Sequence, residues 1–189
     1  MTKFLDADAA TPEGMKIIMK GFSKAMLIVM IPAAGFLWLA AATGLFAVDW
    51  ITTRGDAIAF VGQNLTVAGL VFAAHIMWVS LTRATPTAEK WQEGGRPSAG
   101  SKLDLAQRVT LNTAEQAVLF AFAQLALASA MPLDQVFATR ILALIWLVAR
   151  IVYVAGYLRH PFYRSYGFNL SILPTILALG YAVWCMAFV

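Results

Sequence analysis

The apolar positions of this chain are gathered into five long runs, separated by shorter polar stretches. The runs cover about Ala25–Ala47, Ala57–Leu81, Leu105–Ala130, Gln135–Tyr157 and Phe168–Phe188. Within them, apolar residues do not alternate with polar ones as they would along a half-buried strand. Each run is long enough to cross about 30 Å of hydrocarbon as a helix. The pattern therefore predicts an all-α, polytopic membrane bundle.

Composition supports this prediction and argues against several kinds of site and partner. Of the 189 residues, 60% are hydrophobic and 13% are charged, well outside the range of an ordinary soluble domain. The single cysteine, Cys185, excludes a disulfide framework within the chain, and two distant histidines argue against zinc, so we expect no metal. In a membrane protein the net charge of +4 indicates basic loops on one side, so we expect no nucleic-acid partner.

Lysine and arginine counts predict the orientation. Four lie in the N-terminal segment, four in the loop from Arg83 to Lys102 and two, including Arg159, after the fourth run. The other side has Arg54 and, just inside the fourth run, Arg140. Because cytoplasmic loops are rich in these residues, the N-terminus is predicted in the cytoplasm and the C-terminus outside. We interpret the membrane as a bacterial inner membrane.

The segment before the first run carries a lysine stripe. Lys16, Lys20 and Lys24 follow at helical spacing, with apolar residues broadly opposite. The stripe predicts an interfacial extension of the first helix that reaches lipid phosphates, or else an ordinary basic flank. The partly acidic lead-in and the lack of a cleavage signal favour a membrane span over a signal peptide.

Local signals predict one helix start and one tight turn between helices. Ser101 and Asp104 have the spacing of a capping box, which predicts that the third helix starts near Lys102. The turn Met131–Asp134 is short enough to require an antiparallel helix pair.

Polar and small residues also lie inside the spans. Gln63, Asn64 and Gln124 are expected to form hydrogen bonds between helices. Gly62 and Gly69 permit close helix approach, although their spacing is not that of the tight dimer motif.

The third run opens with a charged motif, RVTLNTAEQ. Arg108, Asn112 and Glu115 are four and three residues apart, so they project from one helical face. Burying such groups in lipid costs several kcal/mol unless they meet partners, which indicates a functional site. Arg108 taken alone could instead reach out to lipid phosphates.

A second polar face closes the fourth run, where Arg150, Tyr153 and Tyr157 share helical spacing and Arg164 follows. Three arginines exceed the charge of Glu115, so the site would attract an anion with more than one carboxylate. Glu115 could receive an ammonium group. The tyrosines alone would be ordinary aromatic residues of the membrane interface.

Together these residues resemble membrane-associated proteins in eicosanoid and glutathione metabolism, the MAPEG family. The resemblance rests on RVTLNTAEQ, on ARIVYVAGYL and on Pro161-x-x-Arg164-Ser165, over about residues 57–188. It extends to microsomal glutathione transferases, leukotriene C4 synthase and prostaglandin E synthase. It implies a MAPEG-like four-helix core at residues 57–189, with residues 1–56 adding an interfacial segment and one extra N-terminal transmembrane helix.

The resemblance also implies a function: a trimer that binds glutathione between subunits and acts as a transferase or peroxidase on lipophilic electrophiles or lipid hydroperoxides. Arg164 would stabilise the thiolate, with Ser165 beside it. The implied glutathione-binding residues are Arg83, Arg108, Asn112, Glu115, Arg150, Tyr153 and Tyr157.

Three features depart from the family pattern: the extra helix, Gln116 in place of a tyrosine, and Ala117-Val118 where a proline is often found. Two other functions remain open. One is a non-catalytic membrane protein of the same fold that binds a lipid or a partner. The other is a haem carrier that uses His75 and His160, which has no further support in the sequence.

Overall fold

The helices of the computed structural model match the predicted spans. It describes residues 11–43, 48–84, 97–159 and 162–188. In these ranges there is no strand, and five helices are long and apolar enough to cross a membrane. They are α1 Pro12–Thr43, α2 Arg54–Arg83, α3 Lys102–Ala130, α4 Ala138–Arg159 and α5 Arg164–Phe188, with a 3-10 turn at Leu133–Gln135. The predicted all-α membrane bundle is confirmed.

The helix starts show how local chemistry sets the boundaries. Ser101 caps α3 by accepting a hydrogen bond from the Asp104 amide at 3.1 Å, which confirms the start at Lys102. The predicted box is only half formed, because the Asp104 carboxylate accepts from the Gly100 amide instead. A complete capping box occurs at α2, between Thr53 and Asp56.

The first helix is longer than its apolar run. It begins at Pro12 and continues without a break through the lysine stripe to Thr43. The stripe is therefore part of α1, as the predicted extension requires.

Helices α2 to α5 form a four-membered ring in the order α2, α3, α5, α4, and α1 lies outside it against α5 and α4. The short turn does make α3 and α4 antiparallel. They nevertheless sit diagonally across the ring, with fewer contacts than the adjacent pairs. Polar side chains of α3 and α4 can therefore meet in the middle of the bundle.

A polar joint links three of these helices in the half of the bundle away from the charged motif. The Asn64 amide nitrogen of α2 donates to Gln124 Oε1 on α3 at 3.2 Å and to Thr139 Oγ1 on α4 at 3.1 Å. The Gln124 amide donates to the Thr139 carbonyl at 2.8 Å. All three residues are buried, and Gln63 accepts from Arg140 nearby. Hydrogen bonding between helices is thus confirmed for the predicted residues.

Close helix contact falls at a different glycine from those noted in the sequence. A Cβ added at Gly62 or Gly69 would meet nothing within 4 Å among the described atoms. At Gly167 on α5 it would lie 2.6 Å from the Ala149 carbonyl oxygen and closer still to the Tyr153 backbone. Gly167 therefore lets α4 and α5 touch backbone to backbone beside Tyr153.

Candidate functional site

The charged motif of α3 divides between the interior and the surface. Val109, Thr113 and Gln116 are buried, whereas Arg108 and Glu115 are exposed and Asn112 lies between. This division follows from helical geometry, because residues three and four apart share a face. The predicted triad thus runs along the edge where α3 meets its surroundings.

Arg150 lies at the centre of the site. Its residue exposure is 1%, and its Nη2 donates to Asn112 Oδ1 at 3.1 Å and to Thr113 Oγ1 at 2.9 Å. Its guanidinium lies over the Tyr153 ring, 4.2 Å from the centroid. Nε and Nη1 have no hydrogen-bond partner in the described part of the chain. A buried cation held by only one nitrogen retains strong affinity for an anion or a polar ligand.

Two tyrosines connect Arg150 to Arg164. The Tyr153 and Tyr157 rings are 5.8 Å apart, and the Arg164 guanidinium lies 5.1 Å from the Tyr157 centroid. The result is a row of guanidinium, ring, ring and guanidinium, here called the arginine–tyrosine row: Arg150, Tyr153, Tyr157 and Arg164. Cations over aromatic faces are attracted by the ring quadrupole, so the row orders its own members.

The motif of α3 borders this row. Glu115 and Arg164 both lie near Tyr153, and Arg108 lies near Tyr157. Arg108 also pairs with Asp104 at 2.9 Å, and its side chain is 59% exposed. The structure therefore gathers seven predicted residues into one cluster: Arg108, Asn112, Glu115, Arg150, Tyr153, Tyr157 and Arg164.

Two predicted residues, Ser165 and Arg83, are not members of the row, and the contacts that the structure describes for them are with other residues. The Ser165 hydroxyl donates to the Phe162 carbonyl at 2.7 Å, inside its own turn. Arg83 is exposed at the end of α2, in a crevice between α2 and α3 beside Gln107 and Thr110.

Sequence reasoning missed two polar contacts of α3. Thr113 holds Arg150 and is fully buried. Gln116, noted only as a departure from the family, accepts a hydrogen bond from Ser171 of α5 at 3.1 Å and is also buried. Both lie on the inward face of the motif, and a polar residue at a core position was the available signal.

The histidines gain no support as haem ligands. Nδ1 of His75 lies 2.7 Å from the Val71 carbonyl, one turn back on the same helix. His160 lies outside the described residues. Within the described ranges no three His, Cys, Asp or Glu side chains gather as a metal site would require.

The fold and this cluster define a class: a helical integral membrane protein with an arginine- and tyrosine-rich polar site inside a four-helix bundle. Comparison with family models identifies it, since the model described as MAPEG family matches residues 64–184. The chain belongs to the MAPEG family, and α1 lies outside the matched residues. Comparison with curated proteins and with solved structures gives no match. Members of this family have membrane glutathione-transferase or eicosanoid-type functions and generally use glutathione.

Proposed function

We propose that this protein is a glutathione-dependent transferase or peroxidase acting on lipophilic electrophiles or lipid hydroperoxides. The observation that carries the proposal is the arginine–tyrosine row beside Asn112 and Glu115. In the same proposal, the enzyme is a homotrimer in a bacterial inner membrane, with its N-terminus and site on the cytoplasmic side. Residues 57–189 form the enzymatic core, and residues 1–56 are an addition to it.

The charges of the cluster complement glutathione. Glutathione has two carboxylates and one ammonium group at neutral pH. Arg108 and Arg150 supply guanidinium groups suited to carboxylates, Asn112 adds an amide, and Glu115 is placed to receive the ammonium. Since Arg108 and Glu115 point outward from α3, the ligand would bind at the edge of the subunit.

Arg164 would act on the thiol. A thiol with a pKa of about 8.5 is only about 3% thiolate at pH 7, and lowering that pKa by two units raises the fraction to about 75%. Arginine does not accept the proton in practice, so the proton passes to water and Arg164 stabilises the remaining charge. Ser165 adjoins it, and its hydroxyl oxygen has lone pairs left to accept a further hydrogen bond.

The thiolate has two balanced outcomes. With an electrophile, sulfur forms a bond to carbon and the electrons move into the electrophile or its leaving group. With a hydroperoxide, sulfur attacks the outer oxygen, the O–O bond breaks to give an alcohol, and a second glutathione displaces hydroxide to form the disulfide. Both substrates are lipophilic, which accounts for a site inside a membrane bundle.

The position of Arg83 supports a site shared between subunits. Arg83 is exposed in the α2–α3 crevice, away from the arginine–tyrosine row of its own chain. Arg108 and Glu115 are also turned outward. In a closed trimer, Arg83 of one subunit would complete the glutathione site of its neighbour.

A second function, lipid binding without chemistry, is favoured by an apolar groove beside the site. The groove has a volume of about 430 Å³, lies between α2 and α4, and includes Val71, Trp78 and Val154 together with Arg150. A lipid chain could occupy it whether or not glutathione is activated, because a fold does not by itself specify chemistry.

The test is stopped-flow ultraviolet absorbance on mixing the detergent-purified protein with glutathione. We expect a thiolate signal in the parent and none in Arg164→Ala. In that variant kcat/KM for a lipophilic electrophile should fall by about 100-fold or more. Arg159→Ala is the matched control, because Arg159 is an exposed arginine at the same end of the bundle. It should leave the signal unchanged.

Other results have distinct meanings. A thiolate signal that survives in Arg164→Ala removes Arg164 from the mechanism and retains glutathione activation. If the folded parent shows neither a thiolate signal nor turnover, the proposed enzymatic activity is refuted and lipid binding remains as the function.

A further inference from the structure

A second apolar groove lies where the added helix α1 meets the family core. It has a volume of about 450 Å³, and its lining includes Ile28, Pro32 and Phe36 of α1, Val148 of α4 and Leu170 of α5. Its sides are hydrocarbon, and Ala33, which also lines it, belongs to one packed cluster with Ile141 and Ile145 of α4. The groove shares no lining residue with the one beside Arg150, so the proposed enzyme site does not use it.

The lysine stripe adjoins one end of this groove. Lys16, Lys20 and Lys24 are all exposed, and Glu13 is the one acidic residue in the described part of α1. Lys24 precedes Ile28 by four residues, so it lies one turn above the groove at its edge. The result is a hydrocarbon groove with cations at its mouth.

Helix geometry places these cations at the level of a lipid headgroup. Ala33 and Ile145 line the groove together, and Ile145 lies about 21 Å along α4 from its last residue, Arg159. Lys24 is about 14 Å nearer that same end, and Lys20 about 20 Å nearer. The lysines thus stand near the end of the bundle from which α5 begins, while the groove runs below them into the hydrocarbon.

The apolar lining of the groove and the charge at its mouth indicate its occupant. From Ile28 to Phe36 the groove runs about 12 Å along α1. An extended hydrocarbon chain can lie along it. The exposed lysines require that the attached headgroup be negative.

We propose that the α1 groove is a binding site for an anionic phospholipid, with one acyl chain in the groove and the phosphate at Lys20 and Lys24. The site does not rest on the proposed enzyme activity. It gives the added helix a role: α1 and the core together hold a lipid that neither would hold alone.

Native mass spectrometry of the detergent-purified full chain tests the site, with dioleoylphosphatidylglycerol titrated against dioleoylphosphatidylcholine. We expect one tight phosphatidylglycerol per subunit, bound at least about tenfold more tightly than phosphatidylcholine. Lys16→Gln/Lys20→Gln/Lys24→Gln should abolish the preference, and replacement of the same lysines by arginine should retain it. Val148→Trp should fill the groove and weaken binding of phosphatidylglycerol by about tenfold or more.

Leu177→Trp is the matched control for the bulky substitution, because Leu177 is an exposed apolar residue of α5 outside the groove lining. Equal affinity for the two lipids in the parent would overturn the proposal. So would an unchanged phosphatidylglycerol preference in both the glutamine triple variant and Val148→Trp. A changed oligomer size in Val148→Trp with unaltered lipid preference would likewise overturn it, because the groove would then hold a second copy of the chain.

Discussion

Gly167→Ala tests whether backbone contact between α4 and α5 holds the arginine–tyrosine row in place. The new methyl group would lie 2.6 Å from the Ala149 carbonyl oxygen and nearer to the Tyr153 amide nitrogen and Cα. Real Cβ atoms essentially never come within 3.0 Å of such atoms. Because the obstacles are backbone atoms, no rotamer change relieves the clash. The two helices must separate, and Tyr153 must move with α4.

The magnitude follows from packing energetics. Overpacking a core typically costs about 1–3 kcal/mol, and a clash against backbone belongs at the upper end. The higher helix propensity of alanine offsets up to about 1 kcal/mol of this cost, so the free energy of unfolding should fall by roughly 2 kcal/mol. Gly180→Ala, on the same helix, would meet nothing within 4 Å among the described atoms and should gain up to about 1 kcal/mol. The two variants should differ by roughly 3 kcal/mol, or about 6–12 °C in unfolding midpoint.

The assay is thermal unfolding of both variants in the same detergent, followed by glutathione titration. Gly167→Ala should unfold at the lower temperature and bind glutathione more weakly, and Gly180→Ala should match or exceed the parent. If the two variants unfold at the same temperature, α4 and α5 do not touch at Gly167. The argument that this glycine holds Tyr153 in position would then be wrong.

Two further substitutions test the buried polar contacts. Thr113→Val removes a hydrogen-bond acceptor from Arg150 and should lower the free energy of unfolding by about 1.5–3 kcal/mol. Thr113→Ser keeps the hydroxyl and should retain most of the parent's stability. Equal thermal midpoints for the two variants would contradict the contact. Asn64→Leu leaves Gln124 Oε1 without its partner and should cost about 1–3 kcal/mol in the same measurement. Thr66→Val is the control for Asn64→Leu, because Thr66 is exposed and its described hydrogen bond is to Gly62 of its own helix. An equal loss of stability in Thr66→Val would contradict a specific role for the polar joint around Asn64.

Much of the fold could be predicted because its signals are local. Long apolar runs required spanning helices, and Ser101 placed the start of α3. The shared faces of α3 and α4 followed from spacing, so Asn112 and Arg150 could be assigned to one site before their contact was known. These inferences need only helix geometry and the cost of polar groups in lipid.

The remaining features depend on packing between helices, which spacing does not determine. A short turn made α3 and α4 antiparallel, but it did not show that they lie diagonally. Gly62 and Gly69 drew attention, yet contact occurs at Gly167, because a glycine acts only where another backbone passes. Likewise, the sequence did not show that Ser165 bonds within its own turn.

The polar joint around Asn64 determines how far each helix is inserted relative to the others. Gln124 and Thr113 are eleven residues apart on α3, and Thr139 and Arg150 are eleven apart on α4. Eleven residues are about three helical turns, so on each helix both contacts fall on one face. A slip of one turn, about 5.4 Å, would break the contact at Arg150 and the joint at Thr139 together. Two polar levels therefore fix the register of helices whose apolar surfaces could pack in several offsets, and they align the halves of the site during assembly in lipid.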